Sequence, residues 1–455
     1  MENNYLLSEE FSNKYNIVPG KIKDGRFYAY CLSVDNNIAA EVENIVNMPV
    51  ELTQVGKSEL ERLRKLYYNT GDNFKATSAK DILDELIRKA YFTKASDIHF
   101  DPQEGYVSVR FRIIGSLINY INLDIDTYMR VVSRIKILSN LDIAQKRLPQ
   151  DGGFDMDVEG RKLDIRVAII PTVHGEKTVL RLLNSVNITY SYEGIGLEGE
   201  DREVVNNLIS QPSGLILICG PTGSGKSSTS YTLLNLLNKS YRNILTIEDP
   251  VEYKLKGINQ VQVNDKVGMD FNTGLHSLLR LDPDILMVGE IRDEMGARVA
   301  LRASITGHLV LSTLHANDSV AAIIRLLNMN QEAYMVAGGL MGIISQRLYR
   351  KLCPHCKEEY HGYSKLLQKV TTTYRAKGCD KCVEGYKDRG AVFEILSIND
   401  SIRGKIKEDI KEEELRKIIE EEHIKTLKDK FVKLVEEGVT SEEEVFRNIF
   451  TMGMI

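Results

Sequence analysis

The sequence predicts an α/β fold built around a doubly wound parallel sheet, with smaller units before and after it. Four short apolar runs, typical of strands buried on both faces, alternate with helical stretches between residues 214 and 315. Upstream, alternating apolar and polar residues indicate half-buried strands and predict a separate α+β unit. Downstream, two Cys-x-x-C pairs precede a charged helical tail. A chain of 455 residues is long enough for several domains of roughly 150 residues.

Composition narrows the class of protein. Hydrophobic residues make up 43% and charged residues 27% of the chain, as in globular proteins. The net charge of -5 provides no overall positive field for nucleic acid or an anionic membrane. We find neither a signal-peptide pattern nor an apolar run of the ~20 residues that cross a bilayer. We therefore expect a cytoplasmic protein that meets a membrane only through partners.

The first stretch, residues 1–70, is predicted to form a small N-terminal domain. Residues 27–34 have the composition of a strand. Ser58 and Glu61 form a capping-box pattern at the start of a helix. The polar, turn-rich residues 68–74 predict a linker.

An α+β domain is predicted over residues 76–194. Apolar side chains at helical spacing, followed by strand patterns at 107–113, 163–170 and 178–183, indicate one helix and several half-buried strands. Arg166 and Arg181 occur within the last two of these strands. From the pattern alone, such arginines are expected to be solvated. The helical positions are Ile82, Leu83, Leu86, Ile87 and Ala90.

The buried runs of the third domain, residues 195–349, surround a glycine-rich block that fits the phosphate-cradling pattern G-x-x-x-x-G-K-[ST]. Its glycines let the backbone wrap around phosphates, and the next helix adds its positive N-terminus. Lys226 would contact the phosphates and Ser227 would ligate Mg²⁺. The alternative is a glycine-rich turn with an incidental Lys-Ser. The predicted nucleotide-binding residues are Gly220, Pro221, Thr222, Gly223, Ser224, Gly225, Lys226, Ser227 and Ser228.

Acidic residues follow two of the apolar runs. Glu290 is predicted to position the attacking water and help hold Mg²⁺, with a helix-capping role as the alternative. Gly289 stands where many nucleotide-binding proteins carry an Asp that supports Mg²⁺. The metal and water network is therefore also assigned to Glu248, Asp249 and Glu252. An acidic turn before proline is the alternative for that cluster.

Two histidines, His308 and His315, flank the fourth apolar run. Histidine changes charge near neutral pH and binds anions when protonated. We therefore predict that both sense the γ-phosphate, while a structural or surface role is the alternative for each.

The cysteines predict a metal site. Four of the six form two Cys-x-x-C pairs separated by 22 residues: Cys353, Cys356, Cys379 and Cys382. Four thiolates around Zn²⁺ make a closed structural site, which predicts a zinc module over residues 350–395. Disulfides or unrelated thiols are the alternative. A helical region follows at 396–455, where Ser441 and Glu444 form another capping-box pattern.

The order of these blocks resembles that of the secretion ATPases of type II secretion and type IV pilus assembly. EDPVEY at 248–253 is similar to their aspartate box, DPDILMVGEIRD at 282–293 to their Walker B motif, and TGHLVLSTLHAND at 306–318 to their histidine box. Upstream matches are ASDIHF at 95–100, DIAQKRLPQDG at 142–152 and TVHGEK at 172–177. The resemblance covers about residues 75 to 395.

The resemblance implies a RecA-like P-loop NTPase domain preceded by a PAS-like α+β domain and a small N-terminal partner-docking domain. It also implies a homohexamer that binds ATP, Mg²⁺ and Zn²⁺. In that family, nucleotide lies between the phosphate-loop domain and the preceding domain, whose arginines act across the subunit interface. The matching positions in this chain are Arg166 and Arg181.

The function implied is that of a hexameric motor. ATP hydrolysis would power type IV pilus assembly, or extension of a secretion or competence pseudopilus, through a platform protein at the inner face of the cytoplasmic membrane. One alternative is a nucleic-acid-translocating ring ATPase, which the acidic balance and the lack of interleaved aromatic and basic residues disfavour. Another is a scaffold that binds nucleotide without hydrolysing it, against which Glu290 argues.

Overall fold

The computed structural model describes Leu7 and residues 9–23, 26–46, 48–57, 59–60, 63–64, 78–183, 190–379 and 381–450. The chain divides into two compact units, Met1–Leu183 and Asn184–Ile455. The predicted helix cap at Ser58 and Glu61 and the predicted linker at 68–74 lie outside the described residues. None of the described helices is long and apolar enough to cross a bilayer.

The first unit begins with a small three-stranded sheet. Its elements are α1 (Glu9–Tyr15), β1 (Ile17–Lys23), β2 (Arg26–Cys31), α2 (Asn36–Val46) and β3 (Val50–Gln54). β2 lies in the middle, antiparallel to β1 and parallel to β3. Phe27, Ala29 and Cys31 alternate with more exposed neighbours and face a small separate core. The strand predicted at 27–34 is therefore present, although it ends at Cys31.

A six-stranded antiparallel sheet and two helices follow in the same unit. The elements are α3 (Ala79–Phe92), β4 (Asp97–Pro102), β5 (Val107–Ile113), β6 (Ser116–Leu123), α4 (Ile125–Leu138), β7 (Gln150–Val158), β8 (Arg161–Thr172) and β9 (Gly175–Leu183). The strand order is β6-β5-β4-β9-β8-β7. The five apolar positions predicted for the first helix are all buried along α3. The α+β architecture agrees with the alternating patterns of the sequence.

The second unit is built on a seven-stranded sheet. Its first elements are α5 (Tyr192–Ile195), α6 (Gly199–Ile209), β10 (Gly214–Cys219), α7 (Lys226–Leu237), β11 (Ile244–Glu248), β12 (Asn259–Gln262), a 3-10 helix (Asp265–Val267), α8 (Phe271–Leu278), β13 (Ile285–Val288), α9 (Glu294–Ile305), β14 (Leu309–Leu314), α10 (Ser319–Asn328), α11 (Ala333–Gly339) and β15 (Leu340–Leu352). The remaining elements are β16 (Lys357–Ser364), β17 (Lys369–Ala376), β18 (Tyr386–Ser397), α12 (Asp400–Arg403), α13 (Glu412–Glu421), α14 (Leu427–Glu436) and α15 (Glu442–Phe450).

The sheet has the order β12-β11-β13-β14-β10-β15-β18. All neighbouring pairs are parallel except β15 and β18. Along β10, Leu215 and Leu217 join the core on one face of the sheet, while Ile216 and Ile218 join the core on the other. Burying each such side chain stabilises the fold by about 2 kcal/mol. The four predicted apolar runs are therefore strands buried on both faces, and the predicted α/β class is confirmed.

One domain assignment needs correction. Residues 386–395 were assigned to the cysteine module, but they return to the main sheet as β18, which pairs antiparallel with β15 along most of its length. Without β18, β15 would present an unpaired edge of backbone N–H and C=O groups. Within the described part of the assigned module, the hairpin β16–β17 forms a separate two-stranded sheet beside the turns that carry the cysteines.

The C-terminal helices pack against the β15–β18 side of the sheet. The ring centroids of Phe431 on α14 and Tyr349 on β15 are 6.1 Å apart in an edge-to-face arrangement. At the start of α15, the Glu444 N–H donates to Ser441 Oγ at 3.2 Å. The Glu444 carboxylate instead accepts from the backbone and side chain of Arg350. One half of the predicted capping box is thus present, and the other half is replaced by a bond that ties α15 to β15.

Candidate functional site

The glycine-rich loop connects β10 to α7 at the carboxyl edge of the parallel strands. Gly225 caps α7 in a left-handed conformation, with φ 92°, which a residue with a side chain rarely adopts. Lys226 is the first residue of the helix, so the unpaired N–H groups of its first turn lie beside the loop. A helix N-terminus and a surrounding loop backbone form an anion-binding site. The local geometry therefore fits the phosphate site predicted from the sequence.

Lys226 closes the loop on itself. Its Nζ donates to the carbonyl oxygens of Gly220 at 2.8 Å and Pro221 at 3.1 Å. Burial lowers the pKa of Lys226, while the negative charge of Glu290 opposes that shift. The ammonium group thus holds the loop backbone and lies in the electrostatic field of Glu290.

Glu290 follows β13, two strands away from β10 in the sheet, and faces the same carboxyl edge. Its carboxylate lies 3.4 Å from His315 Nε2 and 3.4 Å from Arg292 Nε. Burial and the charge of Lys226 lower the pKa of His315, against the attraction of Glu290. The lowered pKa favours the neutral imidazole. The structure brings Lys226, Glu290 and His315 into one electrostatic cluster.

Gly289 lies where two strands approach closely. A Cβ added there would come within 2.9 Å of the Ile247 carbonyl oxygen and 3.3 Å of Glu248 Cα. Both contacts are with backbone, which cannot move aside cheaply. An aspartate at this position would therefore clash with the backbone of β11.

Glu248 is 3% exposed, and both its oxygens are engaged. One oxygen accepts from the Tyr231 hydroxyl, and the other accepts from Thr246 Oγ1 at 2.6 Å and Gln260 Nε2 at 3.0 Å. The Tyr231 hydroxyl also accepts from the Glu252 N–H at 3.2 Å. Burial and Glu248 raise the pKa of Tyr231, so its proton stays in place. Glu248 therefore anchors the end of β11, and it is not an open metal ligand in this structure.

Arg292 is a site residue that the sequence reasoning missed. Its guanidinium lies 3.0 Å from Asp249 Oδ2 and 3.4 Å from Glu290 Oε2. The arginine thus connects the acidic cluster after β11 to the acid after β13. The sequence does contain a hint of this role: Arg292 lies two residues after Glu290, close enough in the chain for the two side chains to meet. Tyr231 and Gln260 were also missed, because they reach Glu248 only through tertiary packing.

The two predicted histidines lie at opposite edges of the sheet. His315 follows β14 at the carboxyl edge, whereas His308 precedes β14, and its carbonyl accepts from the Gly214 N–H at the start of β10. The six residues of β14 separate the two edges by about 20 Å. The structure therefore does not bring His308 to the phosphate loop of its own subunit, and the structural role given as the alternative fits its surroundings. His308 Nδ1 lies 3.0 Å from the Ala303 carbonyl, so this histidine fastens the end of α9.

Arg166 and Arg181 lie directly opposite each other on the neighbouring strands β8 and β9 of the first unit. Directly paired residues of an antiparallel sheet share one face, so both side chains point away from the apolar core. Asp97 on β4, which is opposite Arg181, accepts from its Nε at 3.1 Å. Arg112 on β5 lies 3.5 Å from the same carboxylate. Three arginines and one aspartate therefore form a net positive row across this face.

The four module cysteines converge on one point. All four Sγ atoms lie within 4.8 Å of one another, and three of the separations are 3.6, 3.7 and 3.9 Å. A tetrahedron with Zn–S bonds of about 2.3 Å has sulfur–sulfur edges of about 3.8 Å. Disulfide sulfurs would lie only about 2.05 Å apart, and all four cysteines are free. The cluster fits a tetrahedral metal site and does not fit disulfides.

The parallel sheet, the phosphate loop at its carboxyl edge and an acid at the end of a nearby strand define the P-loop nucleotide-binding proteins. The family model described as Type II/IV secretion system protein matches residues 73–447. The chain belongs to this family, and the resemblance predicted from the sequence is confirmed.

Comparison with individual relatives leads to the same family. The putative type II secretion system protein E of Escherichia coli (strain K12) is 42% identical over 379 residues, covering 80% of this chain and 76% of that protein. The type IV pilus assembly ATPase PilB of Thermus thermophilus is 36% identical over 477 residues, covering 97% of this chain but 54% of that protein. The X-ray structure of the Legionella pneumophila ATPase DotB matches with a TM-score of 0.63 and 18% identity, covering 84% of this chain and 99% of that one. That structural match shows the fold alone.

The chain is thus an ATP-hydrolysing P-loop enzyme of the secretion and pilus-assembly type. None of these matches supports the alternative of a nucleic-acid translocase.

Proposed function

We propose that this ATPase works as a homohexameric ring, with each nucleotide bound between the phosphate loop of one subunit and the α+β sheet of the next. The observation that carries the proposal is the cross-strand pair of Arg166 and Arg181. Like charges directly opposite each other in a sheet are destabilising. Asp97 accepts from Arg181, and a phosphate group bound by both guanidinium groups would reduce the repulsion between them. Guanidinium groups aimed at a transferring phosphoryl group stabilise its charge.

The phosphate-loop side supplies the other groups. Lys226 would exchange its two loop carbonyls for phosphate oxygens, and Glu290 would position the attacking water. His315 would orient the Glu290 carboxylate, and Ser227 and Glu290 would hold Mg²⁺ together with Asp249 and Glu252. When bound, Mg²⁺ supplies charge neutralisation at the β- and γ-phosphates. Glu248 would fix the position of this acidic cluster through Tyr231.

The names of the relatives indicate which process ATP hydrolysis drives. Their names place them in type II secretion and in type IV pilus assembly. We infer that ring motion in this chain drives the assembly of a pilus or secretion pseudopilus through an inner-membrane platform protein, from the cytoplasmic face of the membrane. Contact with the membrane would then be indirect, through that platform.

The four clustered cysteines are proposed to hold one structural Zn²⁺ ion. Four thiolate ligands complete a tetrahedron and leave no position open for catalysis. The ion would fix the turns at the base of the hairpin β16–β17, which has few apolar side chains to stabilise it.

Subunit mixing tests the site between subunits. Lys226→Ala removes the phosphate-binding lysine, and Arg181→Ala removes the arginine supplied to the neighbour, so each variant alone should be inactive. In the proposed ring, each site takes Lys226 from one subunit and Arg181 from the next. In a random equal mixture of the two variants, about one quarter of the sites should therefore carry both residues. Co-expressed variants should therefore recover about that fraction of wild-type ATPase activity, measured as phosphate release.

A matched control is Lys162→Ala, which removes a cation from the same face of β8 as Arg166. That variant should retain wild-type activity, because its side chain pairs with Asp155 away from the arginine pair. If the mixture of inactive variants stays inactive although both enter one ring, Arg181 acts within its own subunit and the proposed site is wrong.

A further inference from the structure

The phosphate loop rests on a residue from a distant part of the chain. Gln346 lies on β15, the strand beside β10, and is 2% exposed. A Cβ added at Gly220 would lie 2.6 Å from the Gln346 carbonyl oxygen, and one added at Gly225 would lie 2.7 Å from Gln346 Nε2. The first and last loop glycines therefore both press on Gln346, and neither position has room for a side chain.

The Gln346 side chain also holds the helix that follows the loop. Its Oε1 accepts from Thr229 Oγ1 at 2.7 Å. Thr229 lies in the first turn of α7 and is 1% exposed. A buried hydrogen bond of this kind fixes the first turn of α7, whose N–H groups face the phosphate site.

The Gln346 backbone carbonyl is also held by Arg347. The buried Arg347 donates from one guanidinium nitrogen to the Gln346 carbonyl at 3.0 Å and from another to the Asn317 carbonyl at 2.7 Å. Asn317 lies two residues after His315. The loop carrying His315 and the strand supporting the phosphate loop are therefore joined through Arg347.

We propose that Gln346 is a positioning residue for nucleotide binding, which sets the shape of the phosphate loop through its amide, its carbonyl and its bond to Thr229. It contacts loop and helix and does not touch the reacting atoms. The inference rests on the proposed nucleotide-binding role of the loop. It requires no ring, because every contact lies within one subunit.

Two nearly isosteric substitutions test the proposal. Gln346→Met and Thr229→Val each remove the buried hydrogen bond while keeping the volume of the side chain. We expect each to weaken Mg·ADP binding to the full-length chain about tenfold, measured by titration calorimetry. The double variant should bind Mg·ADP at least as tightly as the weaker-binding single variant, because both substitutions remove the same hydrogen bond. Thr229→Ser, which keeps the hydroxyl, should restore affinity.

The kinetic readout separates positioning from general stability. A loop held in the wrong shape loses binding to substrate and transition state alike, so KM for ATP should rise about tenfold with little change in kcat. Ser345→Ala is the matched control, because Ser345 is equally buried on the same strand and its hydroxyl has no hydrogen-bond partner among the described residues. That variant should bind Mg·ADP like the wild type.

The outcomes are distinct. Mg·ADP affinities within twofold of wild type in Gln346→Met and Thr229→Val, with or without a lower unfolding temperature, would overturn the inference. If Gln346→Met does not fold, the Thr229→Val and Thr229→Ser pair decides alone. Failure of the wild-type chain itself to bind Mg·ADP would instead overturn the proposed role of the phosphate loop.

Discussion

At the scale of single residues, the two histidines of one motif have different surroundings. His315 faces Glu290 at the edge that carries the phosphate loop. His308 meets the end of α9 at the other edge. His308 precedes β14 and His315 follows it. Because parallel strands bring all their carboxyl ends to one edge of the sheet and all their amino ends to the other, the two histidines lie at different edges.

This difference predicts opposite effects of two alanine substitutions. His315→Ala removes the imidazole beside Glu290, so we expect kcat to fall on the order of tenfold or more. His308→Ala should leave kcat within about twofold and cost about 1 kcal/mol of unfolding free energy, because it loses the bond to the Ala303 carbonyl. Steady-state phosphate release and urea unfolding measure the two effects. Loss of hydrolysis in a folded His308→Ala variant would contradict the assignment.

At the scale of elements, the hairpin β16–β17 depends on what lies at its base. Most of its residues are exposed, and its two strands form a separate two-stranded sheet. An isolated two-stranded hairpin is marginally stable in water. Lys357 Nζ donates to the Gly438 carbonyl at 3.0 Å and lies 4.5 Å from the centre of the Tyr374 ring, which helps to join the hairpin to the C-terminal helices. We propose that a metal ion held by the cysteine cluster adds a further constraint.

The proposed metal site predicts that Cys379→Ser removes bound zinc. One lost thiolate leaves an incomplete tetrahedron, so zinc content should fall from one ion per chain towards zero. The unfolding temperature should fall on the order of 5 °C. Elemental analysis by mass spectrometry and thermal unfolding measure both. Cys31→Ser, the same change in the N-terminal sheet, should keep its zinc; an unchanged metal content in Cys379→Ser would rule out the site.

At the scale of the whole molecule, the chain carries its proposed catalytic groups in two different units. Lys226, Glu290 and His315 belong to the unit Asn184–Ile455, and the pair Arg166 and Arg181 belongs to the unit Met1–Leu183. If the arginines come from a neighbouring subunit, a single chain lacks a complete site. Hydrolysis should then depend on assembly.

We therefore predict that ATPase activity per subunit falls on dilution. It should fall in parallel with the fraction of assembled rings, by about tenfold or more once monomers dominate, because each free subunit lacks the neighbour's charge-stabilising arginines. Light scattering and phosphate release at matched concentrations would follow both quantities. A monomer with the full activity of the ring would show that assembly contributes no group to the site.

The sequence by itself determined the local features of this protein. It predicted the four buried strands, the glycine-rich loop between β10 and α7, the helix over Ala79–Phe92 and the cysteine pairs. Each depends on residue spacing over a few positions: apolar continuity for buried strands, helical periodicity for an amphipathic helix, and paired thiols for a metal site.

Only the tertiary structure decided which residues meet across the sheet. It placed His308 away from the loop, returned residues 386–395 to the main sheet, and brought Arg292 and Gln346 to the site. These contacts depend on the order of the strands and on the edge at which each strand ends. That order is set by packing among residues far apart in the chain, so local spacing does not reveal it.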